Sequence, residues 1–153
     1  LPFTNVLTGM SWHDLEHSNP TLAAFGLKRL HGNVAYLATV RKDGSPRVHP
    51  VTPIIGQGRL FIFMEPTSPK GHDLRRDGRY ALHCAVSDTS GESGEFIVTG
   101  RGKLVDDPAT RALAAELSSY KPQDRYILFE LSVESASATR YEDGKPVREH
   151  WQK

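Results

Sequence analysis

Two hydrophobic rhythms divide the chain. Residues 20–30 repeat Leu22, Phe25 and Leu30 at near-helical spacing, which predicts a helix with one face on the body of the domain. Residues 11–17 make a shorter helical piece before it. From residue 34 the pattern turns to strands. Residues 34–41 are β-rich, Asp43-Gly44 is a turn pair, and residues 46–55 form a second extended run, together a predicted hairpin. Pro50 and Pro53 cannot donate to a ladder, so this second strand is bulged or has an exposed side. Residues 60–65 set Leu60, Ile62 and Met64 on one face and Phe61 and Phe63 on the other, which predicts burial on both. Strands follow at 80–86 and 95–105, with a Gly- and Ser-rich loop at 87–94 that is expected to be exposed and mobile. Gly100 and Gly102 mark a sharp bend in the fifth strand, as at a barrel corner. Residues 125–140 alternate at Phe129, Leu131 and Val133, and a turn at 142–145 sends a last strand back toward Trp151.

Two more helices are bounded by their caps. Asp107 precedes Pro108 at the start of one that runs to residue 117. Ser68 and Pro69 open the other, and Asp77-Gly78 stops it. Six or seven strands with mostly hairpin links and only short helices specify a mainly β (α+β) fold, a closed or nearly closed antiparallel barrel flanked by short helices. A doubly wound sheet would need helices between most strands. The 153 residues suit a single domain, with residues 1–32 as an N-terminal helical segment and 33–153 as the barrel.

Composition narrows the partners. A net charge of +1 gives no global basic field, so neither nucleic acid nor an anionic membrane is expected as a partner. The single cysteine, Cys84, excludes an internal disulfide and a cysteine-rich metal cluster, and fits a reducing cytoplasm. No apolar run is long enough to span a bilayer, and no basic n-region with a long apolar h-region opens the chain, so no signal peptide is expected.

The candidate chemistry lies at the Ser68 helix. Lys70 sits in its first turn, where the macrodipole disfavours a cation, and the first acid comes only at Asp73. A bound phosphate resolves that conflict, because the free first-turn N–H groups, the Ser68 hydroxyl and the Lys70 ammonium converge on one dianion. The plain alternative is a connecting helix with a solvated lysine.

Several segments in order carry a family resemblance: Leu37-Ala38-Thr39-Val40, Asp43-Gly44-Ser45-Pro46-Arg47-Val48, Leu60-Phe61-Ile62-Phe63, Ser68-Pro69-Lys70, Leu74-Arg75-Arg76-Asp77 and Tyr80-Ala81-Leu82. Over residues 34–142 the chain resembles the pyridoxamine 5'-phosphate oxidase-like split-barrel superfamily. The resemblance implies a six-stranded antiparallel split barrel that forms a homodimer, with flavin mononucleotide (FMN) or a related deazaflavin in a groove between subunits. By position it implies cofactor contacts from Arg47, Val48, His49, Pro50 and Val51, from the backbone of Phe61, Ile62 and Phe63, and a phosphate-binding pair in Ser68 and Lys70. Pro69 stands where the founding oxidase has an arginine. That enzyme's C-terminal arginine-histidine motif is not reproduced by Val147-Arg148-Glu149-His150-Trp151, so the resemblance does not carry over oxidation of pyridoxamine phosphate. Trp151 is the candidate to cap the partner's ring edge, against a simple packing role.

Other constellations are weaker. His13-Asp14-Leu15-Glu16-His17 matches H-x-x-E-H but has no marked third ligand, so no metal is expected. Gly100-Arg101-Gly102 lies inside a strand pattern and opens no helix, which makes it a bend and not a phosphate loop. His49 either meets the ligand or is hydrogen-bonded at the groove edge, and Cys84 reads as a small buried hydrophobe. The functional expectation is a flavin-dependent oxidoreductase acting on a small molecule, with no acid or base identified. A deazaflavin reductase and a non-catalytic flavin or haem carrier stay open.

Overall fold

A computed structural model describes residues 11–153. The first ten residues of the expected N-terminal segment, and with them the signal-peptide expectation, lie outside the described residues. Four helices and nine strands follow in order: α1 (Trp12–Ser18), α2 (Pro20–Leu30), β1 (Ala35–Val40), β2 (Pro46–Val51), β3 (Ile54–Gly56), β4 (Arg59–Met64), α3 (Pro69–Arg76), β5 (Arg79–Cys84), β6 (Glu95–Val105), α4 (Pro108–Leu117), β7 (Ile127–Leu131), β8 (Ser135–Glu142) and β9 (Lys145–Gln152).

Every strand pair is antiparallel. One sheet runs β2-β1-β5-β6-β8-β9 and the other β3-β4-β7-β6, so β6 belongs to both. The result is a curled half-barrel, a split barrel of mainly β (α+β) class. It has more strands than the six or seven read from the sequence because two long runs turn corners. The run 46–55 leaves the first sheet at Thr52-Pro53 and enters the second as β3. The run 125–140 breaks at residues 132–134 between β7 and β8. Ser132 N–H still donates to Arg101 O and Glu134 N–H to Thr99 O, both at 2.8 Å, so the chain stays tied to β6 around the bend. β6 makes the same corner at Gly100, where an added Cβ would overlap the Ser132 carbonyl. The bend expected at Gly100 and Gly102 is therefore a barrel corner.

The main core fills the curl, with Leu37, Leu60, Ile62, Leu82, Val98, Phe129 and Leu131 fully buried. α1 and α2 close it with Trp12, Leu15, Leu22 and Leu30, each side chain contributing about 1.5–3 kcal/mol by leaving water. α2 starts at Pro20 behind an Asn19 cap that accepts from Leu22 N–H at 3.1 Å. A second, smaller cluster lies outside β4, where Phe61 and Phe63 pack with Ile54, Leu128 and Ala114 of α4. Strand β4 is thus buried on both faces, as its sequence predicts. The alternation read in 125–140 does not expose one face of β7, because Glu130 is buried as well. Arg59 receives it in a two-point pair, Nε to Oε2 at 2.7 Å and Nη2 to Oε1 at 2.6 Å.

Gly100→Ala is expected to cost roughly 3 kcal/mol by overpacking the corner. A fall in the urea midpoint with an unchanged slope checks it.

Candidate functional site

The candidate site lies at the split, where β2 is the open edge of the first sheet and α3 starts just beyond β4. Its frame is the carboxylate of Asp73 on α3, which is only 2% exposed. It accepts from Thr39 Oγ1 on β1 at 2.8 Å, Arg47 Nε on β2 at 2.7 Å and Arg76 Nη2 one turn along α3 at 3.0 Å. Burial alone would raise its pKa, but the hydrogen bonds from Arg47, Thr39 and Arg76 outweigh it and hold the carboxyl below its ordinary value. Arg76 also donates to Val40 O at 2.7 Å. The helix is thereby fixed against the β1–β2 hairpin. None of these roles for Asp73, Thr39 or Arg76 was read from the sequence. The one signal was a lone acid in a basic helix.

One turn before Asp73 stand Ser68 and Lys70. Ser68 occupies the N-cap position, yet its hydroxyl caps no backbone N–H and instead accepts from Lys70 Nζ at 2.9 Å. The expected cluster of free first-turn N–H groups is also smaller than the sequence reading had it. Pro69 has no N–H, and Gly71 N–H donates to Ser68 O at 3.0 Å, which leaves the Lys70 N–H. The donors gathered at this turn are thus the ammonium, the Ser68 hydroxyl and one amide. Gly71 lets this turn sit close to the end of β4, since a Cβ there would come within 3.1 Å of Met64 Sδ.

Lys70 is half-buried and forms no ion pair among the described residues. Burial pushes its pKa down. His49 on β2 feels the same field: burial first, then the Lys70 and Arg47 charges, lower its pKa and favour the neutral ring. The terminal nitrogens of Arg47 have no protein partner among the described residues. Arg47, His49, Ser68 and Lys70 therefore form one electropositive cluster with donor capacity to spare.

The other sequence candidates are distributed differently. Val51 is buried beside His49 on the inner side of β2, whereas Val48 and Pro50 point outward and are exposed. The side chains of Phe61, Ile62 and Phe63 are all buried, which leaves only backbone to face a ligand. The ladder with β3 stops at Ile54 opposite Phe61, so beyond that point β4 is paired on its β7 side alone. Pro69 contributes helix start and no donor. Trp151 is opposite Ala136 on β9 and packs against the main core, five strand spacings from β2, about 24 Å along the sheet. His13 and His17 stack on α1 with ring centroids 6.2 Å apart, and among the described residues no three His, Cys, Asp or Glu side chains gather to hold a metal ion. Cys84 is buried and its Sγ accepts from Phe96 N–H at 3.2 Å.

Comparison with known proteins agrees with this architecture. A family model described as pyridoxamine 5'-phosphate oxidase matches residues 27–140. No curated protein is detectably similar in sequence. Among solved structures, a heme binding protein from Mycobacterium smegmatis superposes with a TM-score of 0.65 at 19% identity over 84% of this chain. The match spans only 56% of that protein's length. A NimC/NimA family protein from Clostridium acetobutylicum gives 0.64 at 19% identity, over 91% of this chain and 96% of the other. A protein described as an F420 reductase gives 0.57 at 18% identity, over 72% and 94%.

Asp73→Asn is expected to destabilise the fold by about 2–3 kcal/mol through its charge-assisted hydrogen bonds. Because the folded carboxyl titrates below its unfolded value, its contribution is complete above about pH 3.9 and is lost as pH falls through the folded pKa. Urea unfolding across pH 2–6 checks both: the variant should be less stable near neutrality and lose less on acidification.

Proposed function

The chain belongs to the pyridoxamine 5'-phosphate oxidase family, and from that premise we propose that it is a cytoplasmic, homodimeric flavin-binding oxidoreductase that holds the phosphate of FMN at Lys70. The observation that carries this reading is a half-buried ammonium with no counter-ion among the described residues, next to a hydroxyl and two free guanidinium nitrogens. Such a site is costly when empty of charge and suits a dianion.

The residues present fit the cofactor in type as well as position. Lys70 and Ser68 would take the phosphate, with Arg47 Nη groups alongside. The unpaired edge of β4 at Ile62 and Phe63 offers backbone groups to the ring. Bound there, the flavin supplies the hydride chemistry. The protein's share is to neutralise the phosphate, keep His49 uncharged and exclude a third cation from the cluster. A small organic molecule is the expected substrate. A phosphorylated deazaflavin would use the same atoms, and the propionates of a haem are a further anion that Lys70 can pair. Mass spectrometry of the ligand released from native protein distinguishes the three.

Lys70→Ala is expected to weaken FMN binding by about 1.5–3 kcal/mol while leaving riboflavin, which lacks the phosphate, unaffected. Fluorescence titration with both ligands checks it, and an equal effect on the two would remove the phosphate assignment.

The depressed Lys70 pKa adds a pH dependence. FMN affinity should decline with rising pH from below the ordinary lysine value of about 10.4, as the free ammonium loses its proton.

A further inference from the structure

Helix α1 turns one face to the core and the other to solvent. Trp12 and Leu15 are 1% and 0% exposed, while His13, Glu16 and His17 are open to water. His13 and His17 are four residues apart, so they stand one above the other on consecutive turns of the same face. Their rings lie with centroids 6.2 Å apart and planes only 27° from parallel. Neither ring donates or accepts a hydrogen bond among the described residues. Other histidines are engaged: His31 Nδ1 accepts from Ile55 N–H at 2.9 Å, His83 Nδ1 lies 2.6 Å from Cys84 O and His150 Nδ1 lies 2.7 Å from Ser137 Oγ.

The backbone under this pair is held firmly. His13 N–H donates to Gly58 O at 2.9 Å, and a Cβ on Gly58 would come within 2.7 Å of His13 Cβ. The β3–β4 turn therefore packs against the root of His13. At the start of the helix Asp14 Oδ2 accepts from Ser11 N–H at 2.7 Å and from Ser11 Oγ at 2.9 Å. Asp14 is thereby occupied in capping. At the far end Asn19 N–H donates to Leu15 O at 2.8 Å. The two histidines thus project from a turn pair that is fixed on three sides.

We propose that His13 and His17 form a surface site for a divalent transition cation of the copper and zinc type, with water in its remaining positions. Imidazole nitrogen suits Cu²⁺, Ni²⁺ and Zn²⁺, whereas Mg²⁺ selects oxygen ligands. A metal bonded to one nitrogen of each ring at ~2.0–2.1 Å holds the two centroids within about 6.5 Å of each other, and the rings already satisfy that limit. Converging the two nitrogens takes side-chain rotation alone, because the helix supplies the spacing. Two protein ligands make an open site. No third His, Cys, Asp or Glu gathers with them among the described residues, so the H-x-x-E-H spacing gives a two-point clasp and not a closed zinc centre. Glu16, exposed on the neighbouring position, favours the cation through its charge. The site does not depend on the flavin reading.

Titration calorimetry on untagged protein tests it. Wild type is expected to bind one Zn²⁺ per chain, Cu²⁺ more tightly than Zn²⁺, and Mg²⁺ not at all. His13→Gln and His17→Ala are each expected to bind Zn²⁺ at least tenfold more weakly, because the second ligand of the pair binds intramolecularly. Both side chains are exposed, so metal-free unfolding of the variants should match wild type. In wild type, the ring NMR signals of both His13 and His17 should shift together on addition of Zn²⁺, a readout that needs no variant. Zn²⁺ binding that survives in either variant, or shifts confined to other histidines, places the cation elsewhere and overturns the proposal. Wild type that binds neither Zn²⁺ nor Cu²⁺ at millimolar concentration also overturns it.

Discussion

A buried carboxylate is the constraint on which the rest is built. Taking Asp73 out of water costs several kcal/mol, and only donors in good geometry offset that cost. Thr39, Arg47 and Arg76 supply them from β1, β2 and α3. Because each donor belongs to a different element, satisfying the carboxylate fixes the helix against the hairpin, and with it the position of Lys70 one turn earlier. A hydrophobe of similar size would hold α3 in place but would not orient the Arg47 guanidinium. The node also sets the local charge: one anion is shared by two arginines, and Lys70 is left over. The electropositive cluster is a consequence of how the helix is anchored.

Much of the architecture was legible because local rules and tertiary packing point the same way. The two-faced apolar run at β4, the proline starts of α2, α3 and α4, and the glycine corner in β6 are all where residue chemistry puts them. Strand number was less legible. The hydrophobic alternation of 125–140 passes through the corner at residues 132–134 without a break, since Val133 stays buried while the chain changes sheets. Long-range polar pairs leave no local trace either. Glu130 looked like the outward position of an alternating strand and is instead paired with Arg59, 71 residues away in sequence. The Asp73 node has the same character.

At the candidate site the structure brings Arg47, His49, Ser68 and Lys70 together, for reasons partly different from those read in the sequence. Ser68 was read as a cap, but an ammonium two residues on competes for its oxygen and wins, since a charge-assisted hydrogen bond outranks a neutral one. Proline at the first helical position, favourable for starting α3, also removes an N–H donor from its first turn. What remains is a site in which side-chain charge does more than helix geometry. His49 responds to that charge: partly desolvated and near two cations, its pKa is lowered and the neutral ring, able to donate one hydrogen bond and accept another, is favoured.

The split itself needs an explanation, because an open sheet edge ordinarily invites another strand. β2 carries Pro46 and Pro50, and Pro53 follows at the corner. Each removes an N–H, so the edge lacks the regular donor row that strand addition requires. β3 is only three residues long and stops before it covers Ile62 and Phe63. Prolines on one lip and a truncated strand on the other prevent the barrel from zipping shut, while α3 stands over the gap on its Asp73 anchor. The same prolines cost ladder hydrogen bonds that a closed barrel would have kept. An edge protected in this way stays free of neighbouring strands and keeps the backbone groups of Ile62 and Phe63 accessible.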